Sequence, residues 1–515
     1  MRRRRQHFFG WELVLVLFLL SCRLTGVSLP LLARRGGHFG DIALRLFPPD
    51  WGYAPRVLPL LWATVQMSVT GTFLGSLLAL LAAPFCAGTL PGPRLDKRLC
   101  RGIIQVLRAF PALILALLAT FLFGLTSFSG AAAITVYTFS IMTRLTYEDL
   151  ENAPAAPFQA LRAMGVSSAK AYFRALVPAV APSYLTNVLY LLETNVRHSA
   201  ILGYVGAGGV GLVLNEKVSW REYEKVGAIL FLLFLTVCAI EGLSARLTSA
   251  ILSERKLSRR GRRLLAAAAA ILGVLCTVSL QPPDFSHASS ALLRNMLAGF
   301  AHPAPSLLLS TSSEGVAALL LETACIALAG TGLGTLAAIP LVFLSSARIV
   351  PAPLAAAVRT VILAIRSVPF LIHGLIFIRV TGPGSFAGVL TLAVCSLGLL
   401  CKRFHQAIDS ADFRPVRALE AMGIPPLPRL LRGLIPQLRP AFASAVLYRF
   451  DVNLREAAVL GLVGAGGIGA PLIFAMNQYA WSQASALALG LIVLTWAVDT
   501  ASARLRRRLA QSRSA

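Results

Sequence analysis

The stretch GYVGAGGVG, residues 203–211, holds five glycines in nine positions and returns almost unchanged as GLVGAGGIG at 461–469. Gly206, Gly208 and Gly211 have the G-x-G-x-x-G spacing of a dinucleotide fingerprint. That fingerprint also needs a strand before it, a helix after it and an acidic residue about 20 positions on. Here the glycines end a long apolar stretch, no βαβ pattern surrounds them, and the second copy has no acid at that distance. The run is therefore not a nucleotide loop. Glycine permits positive φ and close backbone approach, so five of them would break a helix. Such a break either lines a cavity at membrane depth or lets helices pack tightly.

Composition supports a membrane setting. Of 515 residues 56% are hydrophobic and 14% charged, and mean hydropathy is +0.72. A soluble domain carries about 25% charged residues. The net charge of +26 is spread as short basic clusters between apolar runs, such as MRRRRQ, PGPRLDKRLCRG and SERKLSRRGRR. That is the pattern of basic loops retained on the inner side of a membrane, not of a nucleic-acid surface. The eight cysteines form no C-x-x-C and mostly lie in or beside apolar runs, so neither a metal site nor a disulfide framework is expected.

Twelve apolar segments are long enough to be candidate spans, roughly 9–30, 58–87, 103–126, 129–146, 183–205, 226–249, 264–281, 316–346, 353–380, 384–401, 441–463 and 484–503. The first follows four arginines without a small-residue cleavage site and reads as a retained anchor. With both termini inside, the basic loops fall inside by alternation, Arg34, Arg35, Arg45 and Arg56 being minor violations.

The chain is an internal repeat. Adding 258 maps RAFP (108–111) onto RSVP (366–369) and PFQALRAMG (157–165) onto PVRALEAMG (415–423). The same offset maps 190–211 onto 448–469 with 12 of 22 positions identical. Gly71 and Gly75 pair with Gly330 and Gly334 at 259. The expected architecture is all-α and polytopic, with about 12 transmembrane helices in two parallel repeats, 1–255 and 256–515.

Ahead of each glycine run an acid, an Asn and an Arg recur at i, i+2 and i+4: Glu193, Asn195, Arg197 and Asp451, Asn453, Arg455. Charges inside a span are costly and point to function. The i, i+4 order also suits a neutralised structural pair. If they face a translocation path, Gly206, Gly208, Gly209, Gly464, Gly466 and Gly467 border it, and the guanidinium fork suits a tetrahedral oxyanion. Unequal residues at matched positions (Thr194/Val452, His198/Glu456, Tyr204/Leu462) suggest an asymmetric path, although His198 itself is given no role.

Two inner loops, 150–182 and 405–440, carry QALRAMG and RALEAMG, each with a Pro thirteen residues past the Gly, at Pro178 and Pro436. These loops look like the coupling loop of ABC importer permeases. Together with the glycine runs and the acid-x-Asn-x-Arg approach, the chain resembles the phosphonate-type permease over about 60–250 and 316–505. The resemblance implies the transmembrane core of a type I ABC importer, two repeats fused in one chain. Two ATPase subunits would dock from the cytoplasm on Gln159, Ala160, Leu161, Gly165 and on Arg417, Ala418, Leu419, Gly423. An extracytoplasmic binding protein would deliver phosphonate or a related phosphorus oxyanion. ATP and Mg would belong to the ATPases, and no cofactor or metal to this chain. Gln159 and Arg417 stand where the family has Glu, which changes the docking polarity.

No G-x-x-x-x-G-K-[ST] occurs, GTGLGT (330–335) lacks the Lys, and no nucleophile with its base is evident, so the chain is not expected to be an enzyme. The expected location is the inner membrane, multi-pass, with both termini cytoplasmic and lipid around it. Methionine-type, phosphate and phosphite permeases are alternative substrate classes. An ion-coupled secondary transporter would have only Glu193 and Asp451 as coupling acids.

Overall fold

The computed structural model describes residues 2–90, 93–252, 259–285 and 290–511, and all the regular elements among them are helices. The chain forms two compact units, 43–295 and 1–42 with 296–515. The expected boundary between 255 and 256 lies outside the described residues. The units also depart from the halves 1–255 and 256–515. The N-terminal helix Arg2–Leu24 joins the second repeat, and Arg259–Val278 joins the first.

A complementary pair of contacts accompanies this exchange. In the second repeat, Gly332 on Val316–Leu344 leaves room for the ring of Phe18 on Arg2–Leu24, where a Cβ would collide. In the first repeat the central helix Ala54–Cys86 supplies the ring itself, Phe73, and Gly273 of Arg259–Val278 receives it; a Cβ there would lie 2.5 Å from Phe73 Cγ. Phe73 and Gly332 are matched positions at offset 259. With the helices exchanged, ring would face ring and glycine would face glycine, giving overlap at one contact and a void at the other.

Within each unit the central helix packs backbone-to-backbone on one neighbour. A Cβ on Gly71 would lie 2.5 Å from Ile134 Cγ2, and one on Gly75 2.6 Å from the Thr135 carbonyl, both on Ser127–Asn152. Gly330 and Gly334 give the same approach to Ser385–Asp409, at 2.6 Å from Leu392 Cβ and 2.6 Å from the Ala393 carbonyl. Small residues four apart are the usual way membrane helices gain packing where no hydrophobic drive exists.

The twelve candidate segments are not all long, unbroken apolar helices. Among the described residues six helices are long and apolar enough to cross a membrane, or eight if two bent pairs each count as one span. The segments 103–126 and 353–380 are those pairs: Leu95–Ala109 with Ala112–Phe123 bent by 90°, and Ala352–Ser367 with Phe370–Thr381 bent by 89°. Both breaks fall in RAFP and RSVP. Phe110 and Val368 precede proline and are extended, at ψ 124° and 123°, because the proline ring excludes the helical region from the residue before it. The first arm, Arg94–Ala109, exposes Leu95, Leu99, Ile103 and Val106 along one side, the stripe of a helix that lies in a membrane interface. The segments 9–30 and 264–281 hold shorter apolar helices, Val14–Leu24 and Ala267–Val278. Ser127–Asn152 and Ile435–Leu460 are long but more polar; the second carries Arg449, Asp451, Arg455 and Glu456.

Candidate functional site

The glycine run is a compact turn between two helices. Val177–Leu202 ends in a 3-10 turn, and Gly206 is left-handed at φ 82°. The Gly206 N–H donates to Gly203 O at 3.1 Å and the Ala207 N–H to Leu202 O at 3.3 Å, the paired bonds of a Schellman cap. The second repeat does the same, Gly464 to Gly461 at 2.9 Å and Ala465 to Leu460 at 3.1 Å. Gly208, Gly209, Gly466 and Gly467 also have φ between 77° and 81°. The next helix then starts with an N–H capped from far along the chain. Val210 N–H donates to Thr64 Oγ1, and Ile468 N–H to Thr323 Oγ1, each at 2.9 Å. A Cβ on Gly208 would lie 2.7 Å from Ser127 Oγ, and one on Gly466 2.8 Å from Ser385 Oγ. The runs thus serve close packing inside each unit, with Gly206, Gly208, Gly464 and Gly466 half-buried.

The acid-x-Asn-x-Arg motifs separate into two parts. Asn195 and Asn453, expected beside a path, are fully buried within their units. Asn195 Nδ2 donates to Thr72 Oγ1 and Thr138 Oγ1, both at 2.8 Å. Asn453 Nδ2 donates to Thr331 Oγ1 at 2.7 Å and Ser396 Oγ at 2.8 Å. Each Asn therefore joins three helices. The acid and the Arg, one turn apart, form the expected ion pair: Glu193–Arg197 at 3.0 Å and Asp451–Arg455 at 3.1 Å. In both repeats the Arg is the less buried partner, 16% against 8% and 19% against 3% exposed.

A second ion pair was not singled out from the sequence. Arg449 Nη2 meets Glu456 Oε2 at 2.7 Å, and Arg449 Nε donates to Ser396 Oγ at 3.1 Å. The matched residues of the first repeat are Leu191, buried, and His198, whose ring packs edge-on against Tyr137 at 5.0 Å. The two positions change together, two helical turns apart, and that joint change was the available signal. The asymmetry foreseen at His198/Glu456 is therefore carried by a pair of positions.

The loops 150–182 and 405–440 each present a short exposed helix, Ala156–Ala163 and Arg414–Ala421. One side of the first is anchored: Phe158 is buried, and Leu161 and Val166 pack with it against Leu150 and Leu176. Gln159, Ala160 and Met164 on the other side are exposed, as are Arg417, Ala418 and Met422 in the second repeat, while Leu161 and Leu419 are half-buried. Both helices end in a Schellman cap at Gly165 (φ 81°) and Gly423 (φ 72°), with Val166 N–H to Leu161 O at 3.1 Å and Ile424 N–H to Leu419 O at 3.2 Å. Before Pro178 and Pro436 the following helices widen into π turns, Tyr172–Leu176 and Leu430–Leu434. Proline lacks an N–H and its ring crowds the carbonyl four residues back, and a π turn is one way a continuous helix absorbs that.

The arrangement is that of an all-helical membrane protein with a short exposed helix in each of two matched loops. Residues 71–281 and 330–514 match the family described as binding-protein-dependent transport system inner membrane component, and the chain belongs to that family. It is a multi-pass inner-membrane protein. It is 29% identical over 480 residues to a phosphate-import permease of Mycolicibacterium smegmatis, covering 90% of this chain and 88% of that one. A phosphite transport permease of Stutzerimonas stutzeri is 36% identical over 36% of this chain and 69% of its own length. A putative cryptic phosphonate transport permease of Escherichia coli K12 is 38% identical over 23% of this chain and 98% of its own.

Proposed function

We propose that this chain is the whole transmembrane core of an ABC importer that moves phosphonate or a related phosphorus oxyanion into the cytoplasm by alternating access. The carrying observation is the pair of half-buried arginines, Arg197 and Arg455, each neutralised by an acid one turn away on a matched helix. A guanidinium has five N–H donors, so an arginine held this way can keep its own acid and still offer the remaining donors to a substrate oxyanion, leaving neither charge bare in the membrane.

Two ATPase subunits dock on the exposed faces of Ala156–Ala163 and Arg414–Ala421 and supply ATP and Mg. A single extracytoplasmic binding protein delivers the substrate. Both termini are cytoplasmic, and the chain itself performs no catalysis. The relatives named for phosphate and phosphite favour that second group of substrates over methionine.

The test is uptake of a labelled methylphosphonate in cells expressing the chain with its neighbouring ATPase and binding-protein genes. Chain-dependent uptake should be competed by phosphonate, phosphite or phosphate and not by methionine. Arg197→Lys and Arg455→Lys should each weaken that competition, because Lys lacks the planar fork. Unaltered competition in both variants would remove the arginines from the path.

A further inference from the structure

In the second unit, a pocket of about 780 Å³ opens between the turn at Arg348, the helix Arg414–Ala421 and the helix start at Pro426. Its size is that of a small-molecule site. Phe413, Val416 and Leu430 give it an apolar side, and Arg348, Arg414, Arg417 and Arg429 give it a basic one.

The charges in its wall do not all find partners. Asp412 is taken by Arg414, Nη2 to Oδ2 at 2.8 Å. Glu420 is taken by Arg429 Nη1 at 2.5 Å. Arg348 rests over the Phe413 ring at 5.2 Å. Among the described residues, neither Arg348 nor Arg417 has a carboxylate within ion-pair distance, and the buried Nε of Arg429 has no acceptor. A buried donor without an acceptor is costly, and here it stands beside two uncompensated guanidinium groups.

The first repeat carries a different set of residues at these positions. At offset 258 it carries Pro154, Ala156, Gln159 and Ala171 in place of Asp412, Arg414, Arg417 and Arg429. This set of arginines is thus particular to the second repeat, and a requirement shared by both loops does not account for it.

We propose that this pocket binds a phosphate-bearing anion, either a free small molecule or the headgroup of an anionic lipid, through Arg348, Arg417 and Arg429. Guanidinium groups bind phosphate oxygens by paired, charge-assisted hydrogen bonds, and Phe413 with its apolar neighbours would hold the body of an organic phosphate.

The experiment uses the full chain in nanodiscs of zwitterionic lipid, followed by amide hydrogen exchange with and without pyrophosphate. Exchange should slow over 411–430 and not over the matched 153–172. At ten times the dissociation constant, local opening that excludes the ligand is suppressed about tenfold. The slowing should be lost in Arg348→Gln/Arg417→Gln and reduced in Arg417→Gln alone. The latter installs the residue that the first repeat carries at 159, so its fold is already accommodated once in this chain. Slowing by pyrophosphate assigns a free ligand; slowing only in discs containing anionic phospholipid assigns a headgroup. No slowing with either, equal slowing at 153–172, or slowing that survives in the double variant overturns the proposal.

Discussion

Removing one partner of the Arg449–Glu456 pair should harm the second repeat more than removing both. Arg449 and Glu456 are 3% and 17% exposed and meet at 2.7 Å, so either single change leaves a charge buried without its counter-charge. Breaking a buried pair in this way costs about 3–5 kcal/mol. Arg449→Leu and Glu456→His install the residues that the first repeat carries at 191 and 198. Singly they should cost at least about 3 kcal/mol each. Together they leave no stranded charge, but lose the Arg449 Nε donation to Ser396 at 3.1 Å, about 2 kcal/mol for a hydrogen bond to a charged group. Ser396 keeps its bond from Asn453 at 2.8 Å, so the helix junction is not emptied. The sum of the singles is then about 6 kcal/mol against about 2 for the double, a coupling of about 4 kcal/mol. The assay is the apparent melting temperature of the purified chain in one detergent, for wild type, both singles and the double. The double should melt above either single. A double variant at least as unstable as the two singles combined would show that the two side chains are not a unit.

Gly332→Phe should destabilise the chain by removing the space for Phe18, and adding Phe18→Gly should restore part of the loss, since it reproduces the Phe73–Gly273 arrangement of the first repeat. The same melting assay checks it, and no rescue by the second change would refute the exchange argument. Gly208→Ala should cost about 1–2 kcal/mol for the left-handed backbone alone, with further crowding 2.7 Å from Ser127 Oγ, whereas Gly242→Ala, helical with nothing within 4 Å, should be neutral or stabilising. Asp412 sits just ahead of Arg414–Ala421. The Arg414 backbone N–H, and then its guanidinium, hold the carboxyl below the usual carboxylate range. A lowered folded pKa contributes stability that is present above the unfolded value and lost as pH falls through the folded one. Hydrogen exchange of that helix, corrected for intrinsic rate, should therefore stay protected at neutral pH and loosen only on acidification below the ordinary carboxylate range. Asp412→Asn should remove that dependence.

Much of the molecule was legible in the sequence because it is written twice. The glycine runs, the i, i+4 acid–Arg pairs and the capped helices ending at Gly165 and Gly423 depend on neighbours in the chain, so spacing alone gives their geometry. Hydropathy gave the membrane class for a similar reason, since every span must satisfy its own backbone. Three features needed the tertiary structure. A run such as 103–126 reads as one span because hydropathy averages over Pro111 without registering the extended residue before it. Asn195 and Asn453 lie on the same short motif as the arginines, yet an intervening 100° per residue turns them toward Thr and Ser hydroxyls on other helices, whose positions no local pattern encodes. Which first helix packs on which central helix involves ring-against-glycine contacts, Phe18 with Gly332 and Phe73 with Gly273, and a hydrogen bond from Gln66 to Ser279. Each of those residues is unremarkable in its own span. Chain order would have assigned the helices the other way, and close packing between side chains far apart in sequence reversed that assignment.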